Sequence, residues 1–143
     1  MSAVPAPAAV WPDYFPAECP PADAAPAVGT LYRFTKKQTP DAKDVTCHWN
    51  RFEQHREEWA RDGRQCQACG LSVYLTVETA RQKRAMIPAL RKAHVHRVTL
   101  ATPDGKLKNT PSVGDPEHHT WWAQSAIQDV LGFLQYVEGP NAA

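Results

Sequence analysis

The chain contains no run of about 18 apolar residues, so nothing in it reads as a membrane-spanning helix. It also has no surplus of one charge. Sixteen Lys and Arg face 15 Asp and Glu for a net charge of +1, which leaves no overall electrostatic case for nucleic acid. No internal repeat occurs. Residues 1–29 hold no Lys or Arg and no unbroken apolar stretch, so they lack what a secretory signal peptide needs. The expectation is therefore a protein kept in a reducing cytoplasm, or one delivered into a target-cell cytoplasm by a dedicated secretion system. In that setting Cys19, Cys47, Cys66 and Cys69 read as thiols or ligands rather than a disulfide framework.

What is present is an ordinary globular balance, 43% hydrophobic and 22% charged, over 143 residues, enough for one domain and one core. Seven of the thirteen prolines fall within residues 1–29. Each removes a backbone donor and turns the preceding residue from helical angles, so residues 1–29 read as an extended arm. Trp11-Pro-Asp-Tyr-Phe-Pro16 should pack on the domain, with residues 1–9 loose. Residues 30–143 then form an α+β domain.

Within it, Thr30–Thr35 reads as a strand, and Thr46 as the cap of a helix reaching about Asp62 with Gly63 as its stop. Leu71–Leu75 is a second strand. Thr76 caps a helix whose exposed side carries Arg81, Lys83 and Arg84, and Pro88 breaks it. Val95–Leu100 is a third strand, Pro103-Asp-Gly105 a turn, and His118–Trp122 a fourth strand. Ser125 with Gln128 suggests a capped last helix, striped by Ile127, Val130, Leu131, Leu134 and Val137.

Four groups bear chemistry. Cys66-Gln-Ala-Cys69 has zinc-knuckle spacing, but no second Cys-x-x-Cys exists, and Cys47 with His48 or His55 would have to complete four ligands. The competing reading is two small, partly buried thiols. A histidine and a tryptophan on one face of His118–Trp122 would suit a planar aromatic ligand, or simply the rim and filling of a core. Arg33, between Tyr32 and Phe34, is an edge residue or a phosphate and ribose holder. Ser72 lies in an apolar strand and needs a partner. It is no nucleophile elbow, because position 74 is Tyr rather than Gly.

Taken in order, Leu31-Tyr-Arg33, Gly70-Leu-Ser-Val73 and His119-Thr120 resemble ADP-ribosyltransferase-like toxins, most nearly the small type VI secreted family with that fold. The resemblance spans residues 30–122 on about ten motif positions. It implies two small sheets flanked by helices and a cleft for NAD+. Arg33 would hold a phosphate or ribose, Ser72 would bond near the nicotinamide ribose, and His119 would take the third catalytic position. If the arm, which the resemblance does not explain, covers the cleft, Trp11 and Tyr14 would be lid residues; by the resemblance Tyr32, Tyr74 and Trp121 would complete the cofactor site. It further implies an unknown macromolecular acceptor and a neutralising immunity protein or antitoxin, with no role for a membrane. The usual catalytic Glu has no clear counterpart beyond Glu117. The rival reading is a non-enzymatic module held by zinc through Cys66 and Cys69.

Overall fold

The computed structural model describes residues 11–101, 104–124 and 127–140, with backbone alone for 127–129. The expected looseness of residues 1–9, Pro103 of the turn and the Ser125–Gln128 cap lie outside the described residues.

Strand β1 (Ala25–Pro26) belongs to the arm and is followed by β2 (Gly29–Thr35). Short helices α1 (His48–Arg51), α2 (Arg56–Arg61) and α3 (Gln65–Ala68) lead to β3 (Leu71–Val73). Helix α4 (Val77–Met86), β4 (His94–Leu100), β5 (Gly105–Asn109), β6 (His119–Ala123), α5 (Ile127–Phe133) and β7 (Gln135–Glu138) complete the order. The strands form two antiparallel sheets, β1-β5-β6-β3 and β2-β4-β7. Pro26 fits the outermost strand because an edge position asks for no inward donor.

The core lies between the sheets. Leu31 of β2, Val98 and Leu100 of β4, Leu71 and Val73 of β3, Trp121 of β6 and Val130 of α5 join one apolar cluster. A smaller cluster of Tyr74, Ala80 and Val95, with Tyr32, Phe34 and Val137, seats α4. The result is a compact α+β domain of two antiparallel sheets and several helices.

Several expectations change. The helix expected from Thr46 to Asp62 is divided, because Phe52 adopts φ −125° and ψ 70°, outside helical angles. Gly63 does end the segment, at φ +71°. Cys66 lies within α3 and Cys69 caps its C-terminal end. The last helix stops at Phe133 and residues 135–138 become β7. There, pairing with the otherwise open edge of β4 outweighs the helical spacing of Leu134 and Val137. Strand β5 was unanticipated. Thr76 does cap α4, its hydroxyl accepting from Thr79 N at 3.1 Å, and Pro88 opens a separate turn.

Of the basic side of α4, only Arg81 is exposed as expected. Lys83 and Arg84 are buried and paired, Lys83 Nζ with Glu117 at 3.0 Å and Arg84 Nη2 with Glu138 at 2.6 Å. The reading of four unpaired cysteines is also corrected. Cys19 is bonded to Cys66, which ties the arm to α3, while Cys47 and Cys69 are buried free thiols. Disulfides persist in oxidising compartments, so this pairing does not accord with the reducing-cytoplasm expectation from which free thiols followed.

Candidate functional site

The two sheets meet where β2 passes the residue after β3. Tyr32 and Tyr74 exchange backbone hydrogen bonds of 2.8 Å in both directions. That bridge brings neighbouring Arg33 against Ser72. Arg33 Nη1 donates to the Ser72 carbonyl at 2.8 Å, and Nε and Nη2 donate to the Asp44 carbonyl at 3.1 and 2.9 Å. Asp44 is fixed in turn, its carboxylate accepting from Lys36 N at 2.8 Å and Asp41 N at 3.1 Å. Burial of the guanidinium pulls Arg33 down to about 10, with Asp44 opposing, so it stays cationic at neutral pH. Two of its five N–H bonds have no protein acceptor among the described residues.

Ser72 is opposite Thr120 in the β3–β6 ladder. Side chains alternate along a strand, so the histidine on the Ser72 side is His118. Its Nε2 lies 2.8 Å from Ser72 Oγ, and its Nδ1 lies 3.1 Å from the Thr110 carbonyl and 2.8 Å from Thr110 Oγ1. A carbonyl only accepts, so this pattern assigns the proton to Nδ1 and leaves Nε2 to accept from the Ser72 hydroxyl. Burial holds His118 below its ordinary value, with His119 and Arg33 adding to the effect and Asp115 and the Thr110 carbonyl opposing it.

Tyr74 crosses the site edge-on to His118, ring centroids 6.1 Å apart, and donates its hydroxyl to Asp115 Oδ2 at 2.6 Å. Burial and the Asp115 bond both raise its pKa. Asp115 Oδ1 lies 3.5 Å from Lys83 Nζ.

These groups surround a cavity of about 640 Å³ whose walls include Arg33, Ser72, Tyr74, His118, Lys36 and Arg51. Lys92 is the fourth basic lining residue, against Asp44 and Asp115, and Ile87, Ala89 and Leu90 supply an apolar wall. Asp44 is engaged by two backbone amides, whereas Asp115 Oδ1 is buried with no hydrogen-bond partner among the described residues and only Lys83 Nζ 3.5 Å away, so the four basic residues outnumber the carboxylates. A second cavity of about 210 Å³ shares Ser72, His118, His48 and Gly70 with the first. Gly70 is needed there, since a Cβ would lie 2.2 Å from Thr120 Cγ2. His48 stacks on Trp59, and partial burial with Arg33 and Arg51 lowers its pKa.

Of the sequence-derived site residues, Arg33, Ser72 and Tyr74 come together. His119, Tyr32 and Trp121 line neither cavity. His119 alternates to the other side of β6 and holds the Glu117 carbonyl through Nδ1 at 2.8 Å. Tyr32 packs beneath α4. Trp121 is wholly buried in the core, its indole donating to the Asp104 carbonyl at 3.2 Å. His118 entered only through a face for a planar ligand and His48 only as a possible zinc ligand, while Arg51 and Asp44 were missed. The signal for His118 was strand parity, which puts residues 118 and 120 on one face.

The expected lid residues also sit elsewhere. Tyr14 packs beside Cys47 and Cys69, lining a 20 Å³ void rather than the cavity. Zinc at Cys66 is excluded because its sulfur is bonded to Cys19. Burial and Cys47 push the Cys69 thiol up to about 12, the opposite of what a thiolate ligand requires. Among the described residues no group of three or more His, Cys, Asp or Glu is placed to hold a metal.

Comparison with protein-family models, with curated proteins and with solved structures finds no match for this chain.

Proposed function

We propose that this chain is an ADP-ribosyltransferase-like effector that binds NAD+ in the cavity at the junction of its two sheets. The observation that carries the reading is the tie between Arg33 and Ser72 across that junction, on the wall of a cavity with surplus positive charge. A dinucleotide needs cationic donors for its pyrophosphate, hydroxyl partners for its riboses and apolar surface for its rings. Arg33, Arg51 and Lys36 offer the first, Ser72 the second, and Ile87 with Leu90 the third. The volume lies within the usual range for small-molecule sites, about 300–1,000 Å³.

In this reading His118 replaces His119 in the third position. Asp44 is held by backbone amides, Asp115 Oδ2 by Tyr74 and Glu117 by Lys83, so no carboxylate oxygen beyond Asp115 Oδ1, buried 3.5 Å from Lys83 Nζ, is left to stabilise a ribosyl cation. Catalysis would then rest on positioning by Arg33 and Ser72. The acceptor is a macromolecule, the neutralising partner an immunity protein or antitoxin, and the route a secretion system that delivers the folded, disulfide-bonded domain.

Calorimetric titration of NAD+ into wild type, Arg51→Ala and Ser72→Ala tests this. Saturable binding that both substitutions weaken by roughly tenfold supports the reading, about 1.4 kcal/mol each. Folded wild type that takes up no NAD+ overturns it. Arg33→Ala is the poorer probe because it also removes three bonds to backbone carbonyls.

A further inference from the structure

We propose that Ser72 and His118 form a nucleophile–base pair that accepts acyl groups from small esters, with the acyl chain in the larger cavity and the alcohol leaving through the smaller one. This goes beyond dinucleotide binding and does not depend on it.

Three observations carry it. Ser72 Oγ is 2.8 Å from His118 Nε2, within reach for proton transfer. The imidazole is oriented by a third group, its Nδ1 directed at the Thr110 carbonyl, which leaves the lone pair of Nε2 facing the hydroxyl. Ser72 and His118 both stand on the partition between the two cavities, so an electrophile at Oγ has space on either side. Ile87, Ala89 and Leu90 line only the larger cavity and suit an apolar acyl chain, whereas Arg64, Gln67 and Ser112 make the smaller one polar.

In the step, Ser72 Oγ bonds to the ester carbonyl carbon as its proton passes to His118 Nε2. The carbonyl π pair moves to oxygen, where the unengaged Arg33 N–H bonds can meet it. Collapse breaks the carbon–oxygen bond of the ester, and the departing alkoxide takes the proton from His118. Water then repeats the sequence at the acyl-serine and releases a carboxylic acid, restoring the hydroxyl.

The test uses the full chain and a fluorophosphonate probe, read by intact mass and peptide mapping. Ser72 should acquire the phosphonyl group with loss of fluoride. Ser72→Ala should acquire none, and His118→Gln should label at least about 100-fold more slowly. His94→Gln, whose ring lies against Tyr136 and lines neither cavity, should label as wild type. Labelling of wild type should also slow as His118 is protonated, a readout that does not depend on whether His118→Gln folds. No adduct on folded wild type, an adduct on another residue, or labelling indifferent to both His118→Gln and pH overturns the proposal. Calorimetry separates the two readings. NAD+ binding without labelling sinks the pair alone, and labelling without NAD+ binding sinks the dinucleotide site alone.

Discussion

The two faces of the β3–β6 ladder are built from neighbouring residues and do opposite work. On one face Leu71 pairs with Trp121 and Val73 with His119, and the first three join or border the main core. On the other, Ser72 pairs with Thr120, with His118 beside it, and the face opens to two cavities. A shift of one residue would exchange them. The apolar face fixes the register, and the register sets Ser72 against His118. Stability and chemistry are thus separable by substitution, although they share the same backbone hydrogen bonds.

The comparison breaks most sharply at Trp121. Its side chain is fully buried and packs edge-on against Phe133 at 6.4 Å, so Trp121→Ala should lower stability by about 3–5 kcal/mol. Urea unfolding measures this, and a loss under about 1 kcal/mol would show that the apolar face does not fix the ladder. Next in size is the clamp over the open face. The indole of Trp122 donates to the Cys66 carbonyl at 2.8 Å, and Cys66 is tied to Cys19 across 47 positions of sequence. In the chain-entropy account Cys19→Ser should cost about 2–4 kcal/mol, and dithiothreitol should destabilise wild type but leave the variant unchanged.

Gly70→Ala reaches the open face more directly. The new Cβ would force Thr120 or the end of α3 to move, at about 1–3 kcal/mol, and should slow probe labelling of Ser72 as well. Stability and labelling falling together would connect the faces. Stability falling alone would show that the catalytic geometry tolerates the shift.

Which of these faces could be read in the sequence depended on distance along the chain. Most local signals held, with Thr76 as a cap, Pro88 as a break, and β-forming residues at 30–35 and 95–100. Thr46, however, does not cap α1: Cys47 precedes that helix and the Thr46 hydroxyl donates to the Ala42 carbonyl. Signals that depend on a partner far away did not hold. Gln135–Glu138 looks helical until the open edge of β4 is known. Lys83 and Arg84 look solvated until Glu117 and Glu138 are placed. Cys19 and Cys66 look unrelated at 47 positions apart. Arg33 and Ser72 could be paired through a family resemblance; strand parity puts His118 with Thr120, but only the β3–β6 register sets that face against Ser72.

Protonation distinguishes the open face of the ladder from the other sheet without any substitution. His96 is buried on β4, between Thr35 Oγ1 and the Gln38 carbonyl, both 3.0 Å from its ring nitrogens. Burial lowers it and His118 below 6.5. As pH falls through 6.5 the unfolded chain takes up protons that the folded chain refuses, so both should reduce stability on the acid side until their folded values are reached. Urea midpoints from about pH 8 to about pH 5 should slope accordingly, and His118→Gln should flatten part of the slope. An anionic ligand in the cavity should shift the His118 share and leave that of His96 in place.

The smallest effect on stability is expected where the effect on chemistry is largest. Ser72→Ala removes one hydroxyl whose partner, His118 Nε2, borders two cavities and can turn to water, so stability should change by less than about 1 kcal/mol. Thr110 continues to hold Nδ1, and the Arg33 bond to the residue 72 carbonyl does not involve the side chain. The variant should therefore unfold close to wild type in urea while losing probe labelling entirely. A larger loss would mean that the hydroxyl is a structural link between the sheets, and the division between a stabilising face and a reactive face would fail at the residue on which it rests.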